Sequence, residues 1–420
     1  MPAGTYSLTI PGAHEDAGAT GDLDITGDLA ITGAGADTTA IDGGGLDRVF
    51  HIVSGAVEVS AMTVRNGSAS DGAGIFIEID AVLAVVRAAV TGNRASGDGG
   101  GIFNDGAETL VERLAGTVTV AETTVAGNTA GLGGGGIANS GNLTVLNSTI
   151  TSNSALHGGG IVNFGSDTIP GVWGTATVTN TTVSGNSASF AGGGLGSGGW
   201  MMITNVTIAN NSAPREAGIS TGPFGGATLK NTIVAKNSGG DCTDILPVAS
   251  AGHNLDSDGS CGLAGPGDLS GVEPLLAPLA DNGGVTATHA LLAGSPAIDA
   301  GDDIACPPAD QRGEPRPADG DGDGVAVCDI GAYEASPLPL CNCPTPSVSE
   351  TPGPTGTRPR DPAGFPQTGG GAPPASRPAP VAGAIVGGLL LLLASRLLHT
   401  HLMPFAKEVR PVPGRKRPWP

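Results

Sequence analysis

Residues 153–165 read NSALHGGGIVNFG, and two near copies lie upstream: GNRASGDGGGIFNDG (92–106) and GNTAGLGGGGIANSG (127–141). A polar turn led by asparagine, a run of glycines and then an isoleucine recur as one unit. Such a glycine run either cradles a phosphate or shapes a backbone corner. A phosphate loop needs Gly-Lys-Ser/Thr after the run, and no run here has it. The unit is therefore a corner. Aligned on the turn residue, Asn93, Asn128, Asn153, Asn186, Asn211 and Asn237 follow Gly67 at steps of 26, 35, 25, 33, 25 and 26 residues. The period is 25–26 residues, with two insertions.

Flanking columns keep one character throughout. Three residues before each marker stand Val64, Val90, Val125, Ile150, Val183, Ile208 and Val234. Eight before it stand Val59, Val85, Val120, Val145, Val178, Ile203 and Leu229, and ten before it Val57, Leu83, Val118, Leu143, Ala176, Met201 and Ala227. After the glycines come Ile75, Ile102, Ile137, Ile161, Leu195 and Ile219. The column six before the marker is mostly polar: Arg87, Glu122, Asn147, Asn180, Asn205 and Asn231. Alternation with period two indicates strand, and a fixed period near 25 indicates a solenoid. The expected fold is all-β, a right-handed parallel β-helix whose like residues stack at about 4.8 Å per rung. Glycines turn corners too tight for a Cβ, and the stacked asparagines satisfy one another's amides.

Composition agrees with a thin repetitive core. The 420 residues include 72 glycines, only 3% aromatics and 14% charged residues, yet mean hydropathy is +0.11. Net charge is −20. The last 26 residues carry six basic residues against one acid, so the remainder stands at −20 − 5 = −25. So acidic a surface repels nucleic acid, and no nucleic-acid partner is expected.

Five regions follow. Residues 1–245 are repeats, because TYSLTI, DLDITGDLAITG and RVFHIVSGAVEVSAMTV alternate like the later coils. Residues 246–335 form a C-terminal cap. Residues 336–380 hold 13 prolines and form an extended stalk without a core of their own. Val381–Ala394 is an uncharged apolar run of 14 residues. A membrane span needs about 20, reached by extending through Met403 with Arg396 at the interface. The basic tail, 404–420, is then cytoplasmic and the coils extracellular. Met1 leads straight into PAGTYSLTI with no basic residue before Arg48, so an export signal is expected upstream of this start. Cys242 and Cys261 bracket one loop and Cys306 and Cys328 another, as disulfides rather than metal ligands; Cys341 and Cys343 are too close for an easy mutual bridge.

FPQTG (Phe365, Pro366, Gln367, Thr368, Gly369), ahead of the apolar run, resembles an LPxTG-type sorting signal. That resemblance implies a sortase as partner, although Phe replaces Leu and the following tail is long. More broadly, PAGTYSLTI, GDLDITGDLAITGAGADTTAIDGGGLDRVFHI and the GGGI-x-N units resemble bacterial secreted right-handed β-helix proteins of the CSLREA type. Residues 252–301 and DQRGEPRPADGDGDGVAVCDIGAYE resemble the choice-of-anchor segment that follows such helices. The resemblance covers nearly all of residues 3–335. It implies the fold, shared with pectin-lyase-like proteins, and a surface location, with no established catalytic role.

Three residue groups are candidate sites. Asp71 and Asp98 occupy one column in neighbouring coils, where close carboxylates suit an acid/nucleophile pair of a carbohydrate-active enzyme, calcium, or two ordinary turn aspartates. The insertions Asp105–Gly116 and Phe164–Gly174 leave the same corner two coils apart. They frame a cleft in which Trp173, Glu108, Glu112 and Arg113 would bind a sugar of a polysaccharide or cell-surface ligand. Asp319, Asp321, Asp323 and Gly324 match the first half of an EF-hand-like calcium loop, with Asp329 or Asp310 completing the shell. The expected role is binding, adhesion or display at a cell surface, with catalysis by Asp71 and Asp98 as the alternative.

Overall fold

The computed structural model describes residues 1–12, 18–108, 113–165, 174–222, 225–242 and 248–336. The chain is all-β and winds as a parallel β-solenoid, with no helix among the described residues. A representative coil runs through a five-residue strand (Thr117–Ala121), a three-residue strand (Thr124–Ala126), a short strand (Thr129–Ala130) and a corner strand (Ile137–Asn139). Stacking these elements gives parallel sheets of nine, eleven, five and eight strands respectively.

Register reproduces the sequence columns residue for residue. Val85 pairs with Val59 and Val120, Val90 with Val64 and Val125, and Ile102 with Ile75 and Ile137. These inward side chains form one continuous core from Ile25 to Leu263, nearly all fully buried. Each buried Val, Ile or Leu contributes about 1.5–3 kcal/mol, so seven or more rungs of four apolar columns supply the main stabilising term.

The polar column six before the marker has a backbone cause. Arg87, Glu122, Asn147, Asn180, Asn205 and Asn231 all take φ between 44° and 51°, the left-handed bend between the five- and three-residue strands. At the opposite corner, the third glycine has no room for a side chain. A Cβ on Gly101 would sit 2.6 Å from the Gly136 carbonyl oxygen, and one on Gly136 would sit 2.6 Å from that of Gly160.

Two amide ladders run up the stack. In the first, Nδ2 of Asn93, Asn128, Asn153, Asn186 and Asn211 each donates to Oδ1 of the next coil's asparagine at 3.0 Å. The same Oδ1 accepts the marker's backbone N–H, and Nδ2 also donates to a core-strand carbonyl such as Val90 or Val125. Asn237 ends the series by donating to the Asp241 carboxylate at 2.9 Å. In the second ladder, Asn104 donates to Asn139 and Asn139 to Asn163, each at 2.7 Å.

Residues 272–336 turn back along the side of the solenoid. They cover the outer face of the eleven-stranded sheet over its later coils. Thr149 Oγ1 donates to Ala287 O (2.6 Å), Thr182 Oγ1 to Gln311 Oε1 (2.7 Å) and Asn180 Nδ2 to Ala309 O (2.7 Å). Leu276, Leu291, Ala297 and Ile330 pack there on Ala209, Ile233, Ala235 and Leu255 in a second core. Both disulfides foreseen in the sequence are present, Cys242–Cys261 and Cys306–Cys328. The stalk beyond Ser336, FPQTG, the apolar run, the basic tail, Cys341 and Cys343 lie outside the described residues; among those described, no helix is long and apolar enough to cross a membrane.

Candidate functional site

With the eleven-stranded sheet covered, the nine-stranded sheet presents an open outer face. Period-two alternation sends the first, third and fifth strand positions outward; the fifth, which ends on Lys230 paired with Asp302 (2.7 Å), is the least exposed, and the first and third form two open columns. One column carries Ala56, Val82, Thr117, Asn142, Thr175, Trp200 and Gly226, and the other Glu58, Ala84, Thr119, Thr144, Thr177, Met202 and Thr228. In a chain of net charge −20, Glu58 is the one charged member of these columns. Trp200 and Met202 are 53% and 56% exposed. Between Val82 and Trp200 runs a file of hydroxyls and one amide, with Thr175 Oγ1 donating to Asn142 Oδ1 at 2.9 Å. At the amino-terminal end Asp28, Leu29, Ala30, Ala56, Glu58, Val82 and Ala84 line a shallow depression. Sequence reasoning missed this face. Its signal was available in the columns nine and eleven before the marker, whose lack of charge departs from the rest of the surface.

The two insertions stand where this face begins. In the first, Gly106–Glu108 pairs antiparallel with Arg113–Ala115, placing Glu108 opposite Arg113 in register, and the chain enters Thr117–Ala121 directly. Gly116 N–H closes its base on Asp105 O (2.9 Å), as Gly174 N–H closes the second insertion on Phe164 O (3.0 Å). Glu112 and Trp173 lie outside the described residues.

Asp71 and Asp98 stack one coil apart, and both oxygens named here bind backbone. Asp98 N–H donates to Asp71 Oδ1 and Gly133 N–H to Asp98 Oδ1, each at 2.8 Å. Asp98 is buried. The pair thus continues the rung-to-rung bonding as a carboxylate ladder. Further along the same column, the His157 ring meets Phe190 edge-on at 4.8 Å, and burial together with Arg215 lowers its pKa.

The acidic loop folds on its own amides. Asp319 accepts from Gly322 N–H (2.7 Å) and Gly324 N–H (2.9 Å), Asp321 from Asp323 N–H (2.9 Å), and Asp323 from Val325 N–H (2.8 Å). Oxygens of Asp319 and Asp321 come within 4.8 Å of one from Asp299, which no fixed spacing in the sequence marks. Hard oxygen donors suit calcium by type, and an ion held there would draw the rest of its six to eight oxygens from backbone carbonyls or water. Asp329 and Asp310 face elsewhere: Asp329 accepts from Asp299 N–H (2.8 Å) and Ala335 N–H, and Asp310 pairs with Arg312 (2.7 Å). A further cluster, Asp22, Asp24 and His51, is gathered from consecutive coils. Arg48 pairs with Asp22 at 2.9 Å, so the cation there is already supplied by the chain.

Burial and the neighbouring Glu334 raise the Asp329 carboxyl to about 7. Its unfolded value is 3.8, so between those values the folded chain holds a proton that the unfolded chain has released. The stability this group contributes is therefore greatest at acid pH and is lost as pH rises through 7. Guanidinium unfolding should show a loss of about 2 kcal/mol from this residue between pH 5.5 and 8. The difference between wild type and Asp329→Asn isolates it; a difference that does not change with pH contradicts the assignment.

Comparison with known proteins finds no matching family model, no matching curated protein and no matching solved structure. The class the geometry itself defines is a parallel β-solenoid with one sheet face covered by its own C-terminal segment and another left open.

Proposed function

We propose that this protein is a surface-displayed, right-handed β-helix binding module that engages uncharged polysaccharide on the open nine-stranded face and carries out no chemistry of its own. The observation behind this reading is the near absence of charge from an exposed, hydroxyl- and aromatic-bearing face of a strongly acidic chain. Hydroxyl files and an exposed aromatic match the hydrogen-bonding and apolar surfaces of a neutral sugar, whereas an ionic ligand would call for charge. The Pro-rich stalk, the apolar run with its basic tail and the resemblance to CSLREA and choice-of-anchor proteins support display on a cell surface, by membrane anchor or sortase. The alternative, hydrolysis or lyase chemistry at Asp71 and Asp98, has less support because those carboxylates hold backbone amides of the next coil.

A glycan array probed with the full chain, beside a reducing-sugar assay, tests both readings. Neutral glycans should be retained without turnover. Introducing Thr144→Asp with Thr177→Asp places two charges in the exposed file and should weaken retention about tenfold or more, with the thermal midpoint little changed. Retention indifferent to those charges, or turnover abolished by Asp98→Ala, overturns the proposal.

A further inference from the structure

Trp200 and Gly226 are register partners in adjacent coils of the open face. A Cβ built on Gly226 would lie 3.2 Å from Cζ3 and 3.6 Å from Cε3 of Trp200. The six-membered ring of the indole is therefore laid over the backbone of the next rung, against a residue whose missing side chain gives it room. Gly226 has an ordinary strand backbone, since it is not among the glycines with positive φ, so its missing side chain serves the ring and not a turn. Trp200 nonetheless remains 53% exposed. One side of its ring rests on the sheet. Burying an indole in the core would have been the stronger stabiliser; a large aromatic held down on an open strand face is the arrangement of a contact surface.

We infer that Trp200, seated on Gly226, is the stacking platform of the open face, and that it takes a pyranose ring of a linear neutral polysaccharide running across the strands. This rests on the proposed function and names its ligand class and anchor. The axial C–H face of a pyranose is apolar and matches an indole face in size. From Trp200 the same column continues through Thr175, Asn142 and Thr117, one polar side chain per rung at about 4.8 Å. That rise is comparable with the advance of one sugar along an extended chain, so successive residues meet successive hydroxyl or amide groups. Glu58 is the one charge within these columns and stands at the other end of the face, while Lys230 of the neighbouring strand is already paired with Asp302 at 2.7 Å, so the face favours a neutral over an acidic sugar.

The test is affinity electrophoresis of the detergent-solubilised full chain in gels containing laminarin, galactomannan or polygalacturonate. Wild type should be retarded by a neutral polysaccharide and insensitive to salt. Trp200→Ala should lower the association constant about tenfold or more, Trp200→Phe should retain most of it, and Gly226→Val, which displaces the ring without removing it, should weaken it comparably to alanine. Circular dichroism and thermal midpoint of each variant check that the coils are intact. Unaltered retardation by Trp200→Ala overturns the inference; if Thr144→Asp with Thr177→Asp still abolishes binding, the open-face reading stands without this platform. Retardation by polygalacturonate alone, or by none of the three, overturns both.

Discussion

Asn153→Ala should lower stability by on the order of 3–5 kcal/mol, far beyond what its size suggests. Asn153 is 1% exposed and stands mid-ladder. Its Oδ1 accepts the backbone N–H and Nδ2 of Asn128, each at 3.0 Å, and its Nδ2 donates to Asn186 Oδ1 (3.0 Å) and Val125 O (2.9 Å). Truncation strands two donors of Asn128 and the Val125 carbonyl where water does not reach. Each costs about 1–3 kcal/mol. Asn153→Asp is no remedy, because a carboxylate accepts from below but sets oxygen against Asn186 Oδ1 above. The chain uses that substitution only at the end of the ladder. There Asp241 accepts from Asn237 with one oxygen and from Ser257 N–H (2.9 Å) and Oγ (2.6 Å) with the other. Burial raises the Asp241 pKa, the cost of closing the ladder on an acceptor-only group. As a control, Asn147→Gly at a left-handed bend (φ 49°) should stay within about 1 kcal/mol of wild type. Guanidinium midpoints at neutral pH measure both, and an Asn153→Ala cost no larger than the control defeats the ladder argument.

What the sequence disclosed was whatever repeats at a fixed step. Val64, Val90 and Val125 could be placed on one another because inward positions tolerate only aliphatic side chains, and parallel stacking copies that restriction from coil to coil. The asparagine marker was legible for the same reason, since an unpaired amide inside the stack is costly. The outward columns carry no such restriction, so Thr119, Thr144 and Thr177 read as ordinary alternation until the covered and open faces were distinguished. Arg87 and Glu122 gave no hint of a left-handed bend, because neither residue type favours that region. Contacts such as Thr149 with Ala287 or Asn180 with Ala309 join segments more than a hundred residues apart and leave no period to find. Asp299 joins Asp319 and Asp321 for the same reason: the side cover, and not local spacing, brings it there.

That cover also contains a buried ion pair, and its removal should have the second large effect. Arg316 and Glu334 are 0% and 1% exposed, with Nε and Oε2 3.1 Å apart, close enough for attraction though not aligned as a hydrogen bond. Arg316 Nη2 donates to Gly331 O (2.8 Å), while Glu334 accepts from Ala318 N–H (2.8 Å) and Asp329 N–H (3.0 Å). Gly331 N–H in turn bonds Asn231 O of the solenoid at 2.8 Å, so the pair sits directly over the wall it fastens. Arg316→Met removes the cation and leaves Glu334 beside Asp329 and Asp310 in a dry site. The expected cost is about 3–5 kcal/mol, the usual outcome when one buried charge loses its partner. Arg316→Met with Glu334→Gln removes both charges, and Gln keeps an acceptor for an amide, so the double variant should recover most of that loss. Because the inward columns are untouched, the single variant should keep its strand circular dichroism while residues 272–336 become open to limited proteolysis at temperatures where wild type resists. A double variant as unstable as Arg316→Met alone, or proteolysis starting within the coils, would mean that the pair does not hold the cover. If the cover does detach first, Thr149, Thr182 and Thr207 become exposed on a second hydroxyl-bearing face resembling the open one.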